Sequence, residues 1–163
     1  MKKIVYLLIM LSVFVSCSQD AAEYQEFSRK ADAYSGEVTI RSSFSRPMVI
    51  SKIIDGEDHS VAYMISFLAE GYSSDYSDTQ DVSVKFTDGT VHNWSLITIC
   101  DYLSGGKYQY LSGLYFNAED VNNYLQLFSE KTIERFRIRY AEVINPRDAE
   151  EFKQAVKDIQ NMW

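Results

Sequence analysis

Alternation of apolar and polar residues, repeated in segment after segment between residues 38 and 144, most narrows what this chain can become. Successive side chains on a strand point to opposite faces, so each alternating segment builds one dry face and one wet one. Val38, Ile40 and Phe44 alternate with Thr39, Arg41 and Ser43. Arg46-Pro47 interrupts, and Met48 to Ile54 forms a second strand ending in Asp55-Gly56-Glu57-Asp58. In the third, Val61, Tyr63, Ile65, Phe67 and Ala69 alternate while Met64 and Leu68 make the other face partly apolar, the pattern of a central strand. Val82, Val84 and Phe86 lead into Thr87-Asp88-Gly89-Thr90, where Asp-Gly signals a tight hairpin with positive φ at both central positions. Val91 to Trp94 is the return strand, and Leu96 to Cys100 continues it. Gly105-Gly106 turns the chain into Lys107 to Phe116, with Tyr108, Tyr110, Leu114 and Phe116 on one face. Thr132 to Ile144 reads as one long strand, Phe136, Ile138 and Tyr140 opposite Arg135, Arg137 and Arg139.

Three stretches have helical character. Ala22 to Ala31 reads as a short helix. Asn117 is placed to cap a second, in which Val121, Tyr124, Leu125 and Phe128 share a stripe. Asn145-Pro146 opens a third, with Ala149, Phe152, Val156, Ile159 and Trp163 along one side. Strands followed by helix, strand and helix predict an α+β fold, an antiparallel β-sheet of about seven to nine strands with two or three helices packed on it. The expected layout is a leader over residues 1–16, a tether or short helix over 17–35 and a single α+β domain over 36–163.

With 46% hydrophobic and 24% charged residues the chain has the composition of a protein with a packed core. Its formal net charge of −7 includes Lys2 and Lys3 of the leader, so the rest is more acidic still. Such a surface repels phosphate, which argues against nucleic acid as a partner and against adsorption to anionic headgroups.

Met1-Lys2-Lys3 followed by the apolar run Ile4 to Val15 has the layout of a signal peptide, and the run is too short to span a bilayer. Val13-Phe14-Val15-Ser16-Cys17 resembles the lipobox of bacterial lipoproteins, with Phe14 where that pattern prefers leucine. The resemblance implies a diacylglyceryl group on the Cys17 sulfur, cleavage before Cys17 by signal peptidase II, and acylation of the freed amine. Two or more acyl chains hold a protein stably, so the expectation is a chain anchored to the outer membrane, its membrane partner reached through lipid.

The second half resembles a recurring domain, mostly without assigned function, of secreted and lipoprotein chains from Bacteroidetes. The likeness rests on Val84-Lys85-Phe86-Thr87-Asp88-Gly89-Thr90, the aromatic strand Tyr108 to Phe116, the helix Ala118 to Phe128, and Ile133-Glu134-Arg135-Phe136-Arg137-Ile138. It implies fold and habitat, not activity. That group tends to carry an acidic stretch after the lipidated cysteine; Ser18 to Glu23 leaves open whether the domain faces the periplasm or the cell surface.

Motifs for chemistry are sparse. His59, His92 and Cys100 have no zinc spacing, and Cys100, closing an apolar run, reads as a small unpaired core residue. His92 reads as a surface or rim residue. No Gly-x-Ser-x-Gly, Walker or dinucleotide motif occurs, and no cofactor is expected. Between Gly71 and Asp81 lie Asp75, Asp78 and Asp81, whose spacing fits a solvated acidic loop better than the alternative of a calcium site. Tyr72 and Tyr76 in the same loop belong to the palette of binding loops. Arg135, Arg137 and Arg139 form a basic stripe that can either hold carboxylates or an acidic glycan, or pair with acids of a neighbouring strand. The function expected is a non-catalytic accessory or binding module for a glycan, peptide or protein; the alternative is a small hydrolase of envelope or dietary polymers, recognisable by a concave pocket with convergent acids.

Overall fold

The computed structural model describes residues 27–42, 47–73, 77–117, 120–146 and 148–162. The leader and Cys17 lie outside them. The described residues hold nine strands: β1 (Phe27–Ala31), β2 (Val38–Ser42), β3 (Met48–Ile54), β4 (Val61–Gly71), β5 (Thr79–Phe86), β6 (Val91–Tyr102), β7 (Tyr108–Phe116), β8 (Ile133–Ile138) and β9 (Ala141–Ile144). Two helices accompany them among the described residues, α1 (Val121–Glu130) and α2 (Ala149–Ile159). The strands make one antiparallel sheet in the order β1-β2-β3-β4-β7-β6-β5-β8-β9. The fold is mainly β, with a couple of short helices.

The sheet is strongly curled. In strand order β4 and β8 are four steps apart, roughly 19 Å in a flat sheet. Yet the rings of Phe67 on β4 and Phe136 on β8 have centroids 5.3 Å apart. Closure is closest at one end, where a Cβ on Gly71 of β4 would lie 3.2 Å from Cβ of Ala141 on β9 and 3.4 Å from the Tyr110 ring. The trough is filled by Phe67, Phe86, Phe116, Phe136, Ile50 and Ile65, with Phe128 of α1 and Phe152, Val156 and Ile159 of α2 packed into it. Burial of this one face by β2 to β9 accounts for the alternation in the sequence.

A lysine ties α2 down. Lys52 of β3 is buried among these residues, and its Nζ donates to the carbonyls of Gln160 and Met162 at 3.3 and 2.6 Å. Those carbonyls belong to the helix C-terminus, which leaves acceptors without intrahelical partners and favours a cation. Burial holds the pKa of Lys52 below its ordinary value.

Several boundaries differ from the alternation. Phe27 to Ala31 is the edge strand β1, paired with β2, not the end of a helix. The segment 132–144 is a hairpin: Ile138 pairs with Ala141, and Arg139-Tyr140 is its two-residue turn, with Arg139 at φ +52°. Tyr140 is therefore exposed rather than aligned with Phe136 and Ile138. The turn after Phe86 spans three residues, with hydrogen bonds from Phe86 N to Thr90 O and Gly89 N to Phe86 O. Only Gly89 has positive φ there, as in a type I turn closed by a left-handed residue. Helix α1 begins after Asp120, not at Asn117, and α2 after Asp148, not at Asn145-Pro146. Asn145 instead donates its amide to Glu134 O, extending the β8–β9 hairpin.

Three carboxylates clamp the helices and β8 to the sheet. Asp88 meets Lys131 at 2.8 Å, Glu134 meets Lys85 at 2.8 Å, and Glu150 accepts from Thr132 and pairs with Lys153 at 3.1 Å. Lys131 lowers the pKa of Asp88, Lys85 and then Arg135 that of Glu134, and Thr132 and then Lys153 that of Glu150. A carboxyl whose folded pKa is depressed contributes stability above its unfolded pKa, about 4, that is lost as pH falls through the folded one. The thermal midpoint is thus expected to decline below about pH 4. The triple variant Asp88→Asn, Glu134→Gln, Glu150→Gln should decline less steeply when unfolding is followed by circular dichroism from pH 7 to pH 2; equal slopes would place the acid sensitivity elsewhere.

Candidate functional site

The closing end of the trough collects the ends of β4, β6 and β8 and the starts of β5, β7 and β9. Beside the β8–β9 turn lies an open groove of about 490 Å³ lined by Thr79, Gln80, Asp81, Arg137, Arg139 and Tyr140. Thr79, Gln80 and Asp81 are the first residues of β5, and the backbone amide of Arg139 donates to Asp81 O at 2.9 Å, closing the groove floor. Gln80 is held by its side-chain amide, which donates to Ser77 O.

The three arginines have separate fates. Arg135 is neutralised, with Nη2 2.9 Å from Glu134 and Nη1 3.6 Å from Glu142, so for this residue cross-strand pairing holds. Arg137 lies between Ser83 of β5 and Glu142 of β9 in register and is exposed. No hydrogen bond or ion pair joins it to a described residue, because Glu142 turns towards Arg135. Arg139 sits in the turn rather than on the strand, its guanidinium carbon 4.7 Å from the Tyr140 ring centroid and its Nη2 donating to Tyr140 Oη at 3.4 Å. Stacking on a ring limits the rotamers open to a guanidinium. The basic stripe of three thus becomes a pair, Arg137 and Arg139, at the groove.

An aromatic rim continues from the groove. Tyr140 adjoins Ala141, which touches Gly71; Tyr72 follows Gly71 in sequence, and Lys107 Nζ lies 5.9 Å from its ring centroid. Lys107 precedes Tyr108, whose ring meets Tyr102 edge-on at 5.4 Å. Tyr72, Tyr102 and Tyr140 are 74%, 60% and 70% exposed, unlike the inward-facing Tyr110 and Tyr63.

Of the residues singled out in the sequence, Tyr72, Arg137 and Arg139 come together at this end. Tyr76 and Asp75 lie outside the described residues. Asp78 is in the loop before β5, and Asp81 is an exposed strand residue on the groove wall. No cluster of three metal-ligating side chains occurs among the described residues. Tyr102, Lys107 and Tyr140 carry no sequence signal for the site; only Gly105-Gly106, which sharpens the β6–β7 turn, hints at that end. Cys100 is a free, partly buried thiol beside Tyr110, and burial pushes its pKa up, which disfavours a reactive thiolate. At the other end His92 stacks on Trp94, ring centroids 5.6 Å apart, and meets Phe86 edge-on, a packing role.

The groove offers two guanidinium groups, a hydroxyl, an amide, the exposed phenol of Tyr140 and one carboxylate, Asp81. Such a set binds anions and flat apolar faces; among the described lining residues Asp81 is the one acid, where glycoside hydrolysis by two opposed carboxyls uses two. No family model matches the chain, and neither a curated protein nor a solved structure is similar to it.

Proposed function

We propose that this protein is a lipid-anchored envelope protein acting as a non-catalytic binding module, held at the outer membrane through Cys17 and meeting a glycan or protein partner with its aromatic and basic rim. The observation that carries the binding reading is the groove lining, in which arginines and tyrosine outnumber a single carboxylate on an otherwise acidic chain. The anchor rests on Val13-Phe14-Val15-Ser16-Cys17. Among the described residues no helix is long and apolar enough to cross a membrane.

The anchor is tested by metabolic labelling with a palmitate analogue and fractionation of cells producing the native chain. The native protein is expected to carry the label and sediment with membranes, and Cys17→Ser to lose the label and leave the membrane fraction. A Cys17→Ser protein that still sediments and labels would overturn lipidation at this residue. Protease treatment of intact cells, with a periplasmic protein as leakage control, then assigns the face on which partners are to be sought.

A further inference from the structure

We infer that the rim takes an anionic saccharide, a sugar polymer whose units carry carboxylate groups, with Arg137 on the acid groups and Tyr140 and Tyr72 against the ring faces; this rests on the binding-module reading and narrows it to a ligand class. The basic residues are the first ground. Lys85, Lys131, Arg135 and Lys153 each have a carboxylate within 4 Å. Arg137, on a chain with 23 acidic residues to 16 basic ones, has none among the described residues and lines the groove. A planar guanidinium matches a carboxylate in bidentate fashion.

The second ground is the alternation of ring and cation along the rim: Arg139 stacked on Tyr140, then Lys107 over Tyr72, then Tyr102 against Tyr108. A tyrosine face carries negative π density and attracts the polarised C–H groups on the flat side of a pyranose. A uronate polymer repeats the same two features, an apolar ring face and an acid group, at each unit. An acidic peptide supplies the charge without the ring faces, and a neutral glycan the faces without the charge. The third ground is shape. The groove is open at the surface and of about 490 Å³, inside the range of about 300–1,000 Å³ usual for ligand sites, and so admits a chain passing through rather than an enclosed small molecule.

The experiment measures binding of the full chain, solubilised in a neutral detergent, to polygalacturonate, a sulfated glycan, neutral dextran and polyglutamate by affinity electrophoresis and calorimetry. Polygalacturonate is expected to bind, dextran not, and polyglutamate at least tenfold more weakly. Arg137→Gln should weaken polygalacturonate binding about tenfold or more, whereas Lys30→Gln, which removes the same charge from the far edge strand β1, should leave it unchanged. Tyr140→Ala should weaken binding without changing its salt dependence. Arg137 is exposed, so thermal midpoints of its variants should match the wild type. Polyglutamate binding as tightly as polygalacturonate would overturn the saccharide class and favour an acidic peptide. Dextran binding sensitive to Tyr140→Ala but not to Arg137→Gln would overturn the anionic class and leave the rim as a binding surface. Binding of polygalacturonate or the sulfated glycan that neither rim variant weakens would overturn both this inference and the reading of the rim beneath it.

Discussion

Phe128→Ala is expected to cost about 3–5 kcal/mol of stability, the range for deleting a fully enclosed aromatic ring. Phe128 has no exposed surface, and its ring centroid lies 5.7 to 6.3 Å from those of Phe67, Phe86, Trp94 and Phe152. It joins β4, β5, β6 and α2 through a helix of 10 residues, too short to be stable on its own, so most of what keeps α1 helical is this docking. Alanine would leave a cavity that four rings on separate elements cannot all close. Phe128→Leu should cost roughly 1.5 kcal/mol, because most of the volume is retained. Denaturant unfolding of both variants reads the difference in midpoint at constant slope. A loss below about 1 kcal/mol for alanine would mean that α1 can settle into the trough without its central ring.

Lys52→Ala should be the next most damaging, by about 3 kcal/mol, because it empties the space of a buried stem and leaves the Gln160 and Met162 carbonyls without a donor. Lys52→Met separates the two contributions. Methionine fills the same space beneath α2 but cannot donate, and it relieves the desolvation of a buried charge, so its expected cost is about 1–2 kcal/mol. The pH dependence supplies an independent reading. Because burial depresses the pKa of Lys52, the folded state penalises its charge; that penalty is full below the folded pKa and fades as pH rises towards the unfolded value, about 10.4. The stability of wild type relative to Lys52→Met should therefore increase on the alkaline side. Burial raises the pKa of neighbouring Tyr63, so its contribution runs the other way, present below the unfolded value of about 10 and lost above it. A difference curve that is flat or falling would mean that Lys52 is not desolvated at the helix end.

Period-two alternation by itself determined where β4 and β7 run and which of their residues share the trough face, since facing is a property of the chain's own geometry. The stripe from Ala149 to Ile159 likewise marked the docked face of α2. Where a segment lacks that contrast, tertiary structure decided. Phe27 to Ala31 is mostly exposed and polar and becomes a strand because β2 offers it an edge to pair with. Arg139-Tyr140 holds no glycine, asparagine or proline to mark a turn. The chain reverses there because Ile138 and Ala141 both bury themselves in the trough, and Arg139 takes up the positive φ. Strand order was equally hidden, since the β4–β7 pairing joins segments that lie far apart in sequence, and its free energy comes from surfaces that meet only in the fold. The candidate site follows from that order and from the curl, which brings Gly71, next to Tyr72 in the chain, close to Ala141, next to Tyr140. A local pattern can say which way a side chain points, but which residues share an end of the sheet is settled by pairing at a distance.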